Sequence, residues 1–156
     1  MARSKRGSPD RAGVYLEAEI INSRAFQTLS GTEIRVLLRF YQRRDFRSHV
    51  DPSRRQIKVL VNNGEIDFSF VAAEKEGFSR STFMRCRNKL VKVGFIDIAQ
   101  TGAGMYRSLN LYAISDRWKK YGTPDFKEAE RPKRPRFKEG IGFQKGHEAW
   151  GNRRKS

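Results

Sequence analysis

The segment SFVAAEKEGFSRSTFMRCRNKLVKVG, residues 69–94, decides how this chain folds. Gly77 divides it into a short helical stretch, 69–76, and a longer one, 79–93, and Gly94 supplies the stop for the second. Projected at about 100° per residue, the longer stretch separates into two faces. Phe83, Cys86, Leu90 and Val93 fall on one side, while Ser81, Arg85, Asn88 and Lys92 fall on the other. Arg80 and Arg87 lie on the flank of the polar face, Lys89 adds a further cation, and the helix contains no acid. A solvated helix normally mixes signs, because i,i+4 ion pairs contribute about 0.2–0.5 kcal/mol each. An all-cationic face forgoes those pairs and suits a surface whose counter-charge comes from phosphates.

Outward from this segment, residues 95–100 and 108–114 read as two strands joined by a glycine-bearing loop, 101–107. Upstream, Ser30-Gly31-Thr32-Glu33 matches a capping box, and Ile34, Leu37, Leu38 and Tyr41 follow at helical spacing, which predicts a helix over 31–43. Helix, tight turn, second helix and hairpin, in that order, describe an α+β winged helix-turn-helix: a three-helix core with a β-hairpin wing over residues 14–126.

The remaining segments read more weakly. Residues 15–21 are apolar with acids at Glu17 and Glu19, a short strand or docking segment, and 23–29 suit one or two helical turns. Residues 44–56 are polar and basic around Asp51-Pro52-Ser53 and read as a loop, whereas IKVLV at 57–61 reads as a strand. Asn62-Asn63-Gly64 supplies positive-φ turn positions, after which 65–68 either pairs back or leads into the next helix. Residues 115–122 suggest a short helix capped by Ser115. The basic arm, 1–13, and the Lys/Arg-, Glu- and Pro-rich tail, 127–156, read as disordered, with Phe137, Ile141, Phe143 and Trp150 available to dock on a replication or transcription protein.

The 156 residues carry 33 Lys and Arg against 17 Asp and Glu, a formal net charge of +16, which favours DNA, RNA or an anionic membrane surface as partner. Hydrophobic residues make up 37%, short of the usual roughly 45–50%, and the deficit lies in the two ends, leaving the middle enough for one small core. No apolar run of about 18 residues exists for a membrane span, and no apolar stretch follows the basic N-terminus as a secretion signal would require. The expectation is a cytoplasmic, nucleoid-associated protein. Cys86 is a lone cysteine on the apolar helix face, and His49 and His147 lack metal-ligand neighbours, so no metal or cofactor is expected. Nucleotide-binding and hydrolase motifs are absent from the sequence, and an enzyme is the least supported class.

Residue chemistry points to duplex DNA. Arg85 suits a bidentate contact to guanine and Asn88 the equivalent contact to adenine. Ser79, Ser81 and Thr82 stand at the helix N-terminus, where free N–H groups favour a phosphate. Arg80 and Lys92 suit phosphate clamping, Lys89 adds charge, and Tyr106 with Arg107 would press the wing on the backbone or minor groove. A plain hairpin turn explains 101–107 equally well.

The stretch GEIDFSFVAAEKEGFSRSTFMRCRNKLVKVGFIDI, residues 64–98, resembles the winged helix-turn-helix domains of bacterial and phage regulators and replication-initiation proteins. The resemblance extends over about residues 24–126. It implies a recognition helix at 79–93 lying in the major groove, and a role in replication initiation or transcription regulation of a phage-like or plasmid-like element. Two other readings stay open: an RNA-binding or ribosome-associated accessory protein, and a winged-helix adaptor that binds protein.

Overall fold

The computed structural model describes residues 13–102 and 110–130. The basic arm before Gly13, the tail beyond Glu130, and Tyr106 and Arg107 of the expected wing lie outside the described residues. Within them the chain is mixed α+β. Two one-turn helices, α1 (Ala18–Ile21) and α2 (Arg24–Gln27), precede α3 (Gly31–Gln42). An antiparallel ribbon follows, β1 (Phe46–Val50) and β2 (Gln56–Leu60). Next come β3 (Ile66–Asp67), α4 (Phe70–Lys75), α5 (Arg80–Val93), β4 (Ile96–Gln100), β5 (Leu111–Ile114) and a 3-10 turn at Arg117–Lys120.

Local chemistry sets the helix bounds. Ser30 caps α3 by accepting from Glu33 N, and Glu33 Oε2 accepts from Ser30 N at 2.7 Å, completing the reciprocal box. Ser69 caps α4 by accepting from Ala72 N at 3.1 Å, with no reciprocal contact because N3 is alanine. Both α4 and α5 end in a left-handed glycine. Phe78 N donates to Ala73 O and Gly77 N to Glu74 O; Phe95 N donates to Leu90 O and Gly94 N to Val91 O. Gly94 is doubly constrained. Its φ is +91°, and an added Cβ would lie 2.7 Å from Trp118 N.

The core gathers where α3, α4, α5 and the three-stranded sheet meet. Phe40 of α3 stands at its centre, 5.0 Å from the rings of both Phe68 and Tyr112, with Phe83 4.6 Å from Phe68. Edge-to-face aromatic pairs of this kind contribute about 0.5–1.5 kcal/mol beyond area burial. The sheet is antiparallel in the order β3-β5-β4, with Ile66 opposite Tyr112 and Ile96 opposite Ile114. Between Ile98 and Gln100 the register shifts against β5, which leaves Ala99 as the extra residue of a bulge. The ring of Trp118 stacks on Phe95 at 5.7 Å and closes the base of the core.

Several segments depart from the expectation. Residues 44–56 are not a loop: 46–50 form β1 and pair with β2 from Phe46↔Leu60 to Val50↔Gln56. Residues 18–21 form a helical turn, not a strand. The 65–68 segment does not pair back on 57–61; β3 joins β5 instead. Of the Asn62-Asn63-Gly64 group only Gly64 takes positive φ. The two asparagines act through their side chains. Asn62 accepts from Asp45 N and donates to Arg43 O, closing the ribbon's base, while Asn63 accepts from Ile114 N and donates to Ile114 O, tying that base to β5. Ser115 is not the cap of an α-helix; its Oγ accepts from Arg117 N at 3.4 Å beside the 3-10 turn.

Candidate nucleic-acid interface

Helix α5 is held on three sides, against α3, α4 and β4. Phe83, Cys86, Leu90 and Val93 are all buried, each at 1% exposure or less. Burial pushes the Cys86 thiol above its usual pKa, with the charge of Glu33 acting in the same direction, so Cys86 is a packed thiol and not a reactive thiolate.

The opposite face is open. Ser81, Arg85, Asn88 and Lys92 are exposed, Arg80 is exposed on the flank, and Thr82, Arg87 and Lys89 are half-buried. Five cations therefore lie on this one helix: Arg80, Arg85, Arg87, Lys89 and Lys92. None of them enters the ion pairs found among the described residues, which join Arg39 and Arg43 to Glu76, Arg117 to Asp97, and Lys119 to Glu19. Among the described residues, acids elsewhere in the domain thus pair with Arg39, Arg43, Arg117 and Lys119 and not with the α5 cations. Arg43 Nη2 meets Glu76 Oε1 at 2.5 Å and fixes the end of α4 to the end of α3. Arg117 binds Asp97 and also donates to Val91 O at 2.9 Å, which anchors the last turn of α5 to β4. The outer face is consequently presented by a braced helix.

At the N-terminus Ser79 serves as the cap. Its Oγ accepts from Thr82 N at 3.2 Å and donates to Thr82 Oγ1 at 2.8 Å, with Ser81 Oγ 3.2 Å away. The hydroxyls of Ser79 and Thr82 are thus engaged with each other, which leaves the first N–H groups of the helix and Ser81 as the groups open to a ligand at this end. Arg80 lays its guanidinium over the Phe70 ring at 4.7 Å, which fixes its direction at the α4–α5 corner. Asn88 is engaged too: its Oδ1 accepts from Arg87 Nε at 3.2 Å and Nη2 at 2.9 Å. A bidentate contact through the Asn88 amide would require Arg87 to swing away. Arg85 carries no such local bond among the described residues.

Met84, 45% exposed, lies on the outer face between Asn88 and Arg87 and was not among the expected contacts. The same helical projection places it there, although an apolar side chain carries no charge or hydrogen-bonding signal for an interface. Between β4 and β5, Gly102 N donates to Asn110 Oδ1 at 2.8 Å, so the two chain ends leading into 103–109 are held together. Among the described residues no three His, Cys, Asp or Glu side chains come together as a metal site, and no helix is long and apolar enough to cross a membrane. No protein-family model, curated protein or solved structure matches the chain.

Proposed function

We propose that this protein is a winged helix-turn-helix that binds double-stranded DNA by laying the outer face of α5 in the major groove. The observation that carries this reading is the division of α5 into a fully buried stripe and an exposed stripe that holds cations, neutral polar groups and Met84 but no acid, with no ion pair to its cations among the described residues. A major groove about 12 Å wide admits one helix, and phosphates on its two walls supply the missing anions. In this arrangement Arg85 reads guanine and Asn88 reads adenine once Arg87 turns to the backbone. Met84 can pack on a thymine methyl group. Arg80, held against Phe70, and Lys89 and Lys92 contact phosphates that set register without reading sequence. The strands β4 and β5 would carry the wing. The resemblance of residues 64–98 to regulators and replication-initiation proteins supports a role in replication initiation or transcription control of a phage-like or plasmid-like element.

The test is a titration of the full chain against duplex DNA, single-stranded DNA and structured RNA at equal salt. Tightest binding to duplex DNA is expected, with log K falling linearly with log salt at a slope near −0.9 per phosphate contacted. Preference for RNA, or no salt-dependent binding to any of the three, would overturn the reading.

A further inference from the structure

The β1–β2 ribbon has no counterpart in the helix-turn-helix unit and leaves the domain between α3 and β3. Nine of its ten strand residues are exposed, on both faces, and Leu60 at its base is half-buried. At about 3.3 Å per residue its strands carry the Asp51–Arg55 tip roughly 17 Å from the base. An isolated two-stranded ribbon is marginally stable in water. This one gains its fixed exit from Asn62, whose amide bonds Asp45 N and Arg43 O.

Its surface, like that of α5, is predominantly cationic. Arg47, Arg54, Arg55 and Lys58 are exposed and enter none of the ion pairs among the described residues, against one carboxylate, Asp51, which accepts from Ser53 Oγ. The register places Phe46, Ser48, Val50, Gln56, Lys58 and Leu60 on one face and Arg47, His49, Ile57 and Val59 on the other. Cations therefore occupy both faces and the tip. A ribbon that docks one face on a protein keeps that face apolar and the other polar, whereas here each face mixes apolar groups with a cation. Close pairing of two copies along this ribbon would also bring like charges together. Such a two-sided arrangement suits a groove, with phosphates on both walls and apolar side chains against the sugars between them.

Resting on the reading of α5 as a duplex-DNA binder, we propose that the ribbon is a second DNA-binding arm. It enters a groove of the same duplex beyond the α5 site, and Arg54, Arg55 and Lys58 clamp phosphates there. At about 3.4 Å per base pair, its reach corresponds to roughly 5 base pairs of additional duplex on one side.

The experiment compares the full chain with the triple variant Arg54→Asn, Arg55→Gln, Lys58→Gln. Asparagine is chosen at 54 because Arg54 has φ +62°, a conformation asparagine tolerates. All three positions are exposed, and circular dichroism checks folding. The probes are mixed-sequence DNA duplexes, shortened stepwise from each end, from about 40 base pairs. The variant is expected to bind long duplexes about tenfold or more weakly, with a salt slope smaller by about 3. It should also be indifferent to removal of the roughly 5 flanking base pairs that the natural chain needs. An unchanged slope and the same length dependence in both proteins would overturn the arm while leaving the α5 reading intact. Absence of duplex binding by the natural chain would instead overturn the α5 reading itself. A lower sedimenting mass in the variant with DNA affinity unchanged would show that the ribbon joins two copies, and would overturn the proposal. So would an equal loss on duplex RNA, whose deep, narrow major groove does not admit a ribbon.

Discussion

Helix α5 and the β1–β2 ribbon are both basic and both unpaired, yet they rest on opposite kinds of support. Every apolar position of the α5 inner stripe is buried, and Arg117 ties its last turn to Asp97 of β4. The ribbon buries almost nothing and is held by asparagine amides at its base. The contrast separates two ways of holding charge. A braced helix fixes its side chains closely enough to discriminate base edges, because base reading needs bidentate geometry. A ribbon anchored at one end can follow a phosphate backbone but cannot hold such geometry. On the proposed reading, charge on the braced helix suits base contacts and charge on the one-end-anchored ribbon suits phosphate contacts.

The contrast is tested most strongly by removing packing from each region. Phe83→Ala opens a cavity between Phe40, Phe68 and Phe70 and is expected to cost about 3–5 kcal/mol in urea unfolding. Ile57→Ala on the ribbon, 42% exposed, should change stability by less than about 0.5 kcal/mol. Equal costs would show that the ribbon packs on the core and would erase the distinction.

A smaller effect is expected at Gly94, where the helix meets the 3-10 turn. Gly94→Ala combines positive φ with a Cβ 2.7–2.9 Å from the Arg117–Trp118 backbone, and about 2–4 kcal/mol of destabilisation is expected. Gly77, also at positive φ but with open space around its Cβ position, isolates the conformational part; Gly77→Ala should cost about 1–2 kcal/mol. A thermal melt series distinguishes the two.

The alkaline limb probes the junction between helix α3 and the ribbon. Burial pushes Tyr41 from its usual 10 up to about 12, partly offset by the Arg44 charge and reinforced by Asp116 and Glu17. A raised phenol pKa favours the neutral form in the fold. The stabilisation is complete below pH 10 and fades as pH rises toward 12, by about 2–3 kcal/mol in all. Tyr41→Phe should remove this component of the alkaline loss, and an unchanged profile would show that Tyr41 ionises freely.

The two regions also differ in how far the sequence announced them. α5 was readable because Phe83, Cys86, Leu90 and Val93 keep a three-four-three spacing and glycines stand at both ends. α3 was readable from its capping box. FRSHV of β1 has no such signal: both faces meet solvent, so apolar and polar residues do not alternate, and only pairing with β2 makes it a strand. AEII of α1 is too short for period to separate helix from strand. The roles of Asn62 and Asn63 depend on partners 17 to 51 residues away, which local turn chemistry does not reveal. At the interface, the outward stripe was readable, but the Arg87–Asn88 bond and the Ser79–Thr82 cap, which decide what those groups are free to do, are side-chain geometry.

The central claim is that the outer face of α5 reads duplex sequence, and it is met most directly by Arg85→Ala with Asn88→Ala. A preferred site is first selected from random duplexes with the natural chain, and affinity for that site is then compared with affinity for an unrelated duplex at one salt concentration. With two bidentate contacts of about 1–3 kcal/mol each lost, the specificity ratio should fall at least about 30-fold. Melting temperature and the residual salt-dependent affinity should largely persist. A folded double variant that keeps both its affinity and its specificity ratio would contradict the account.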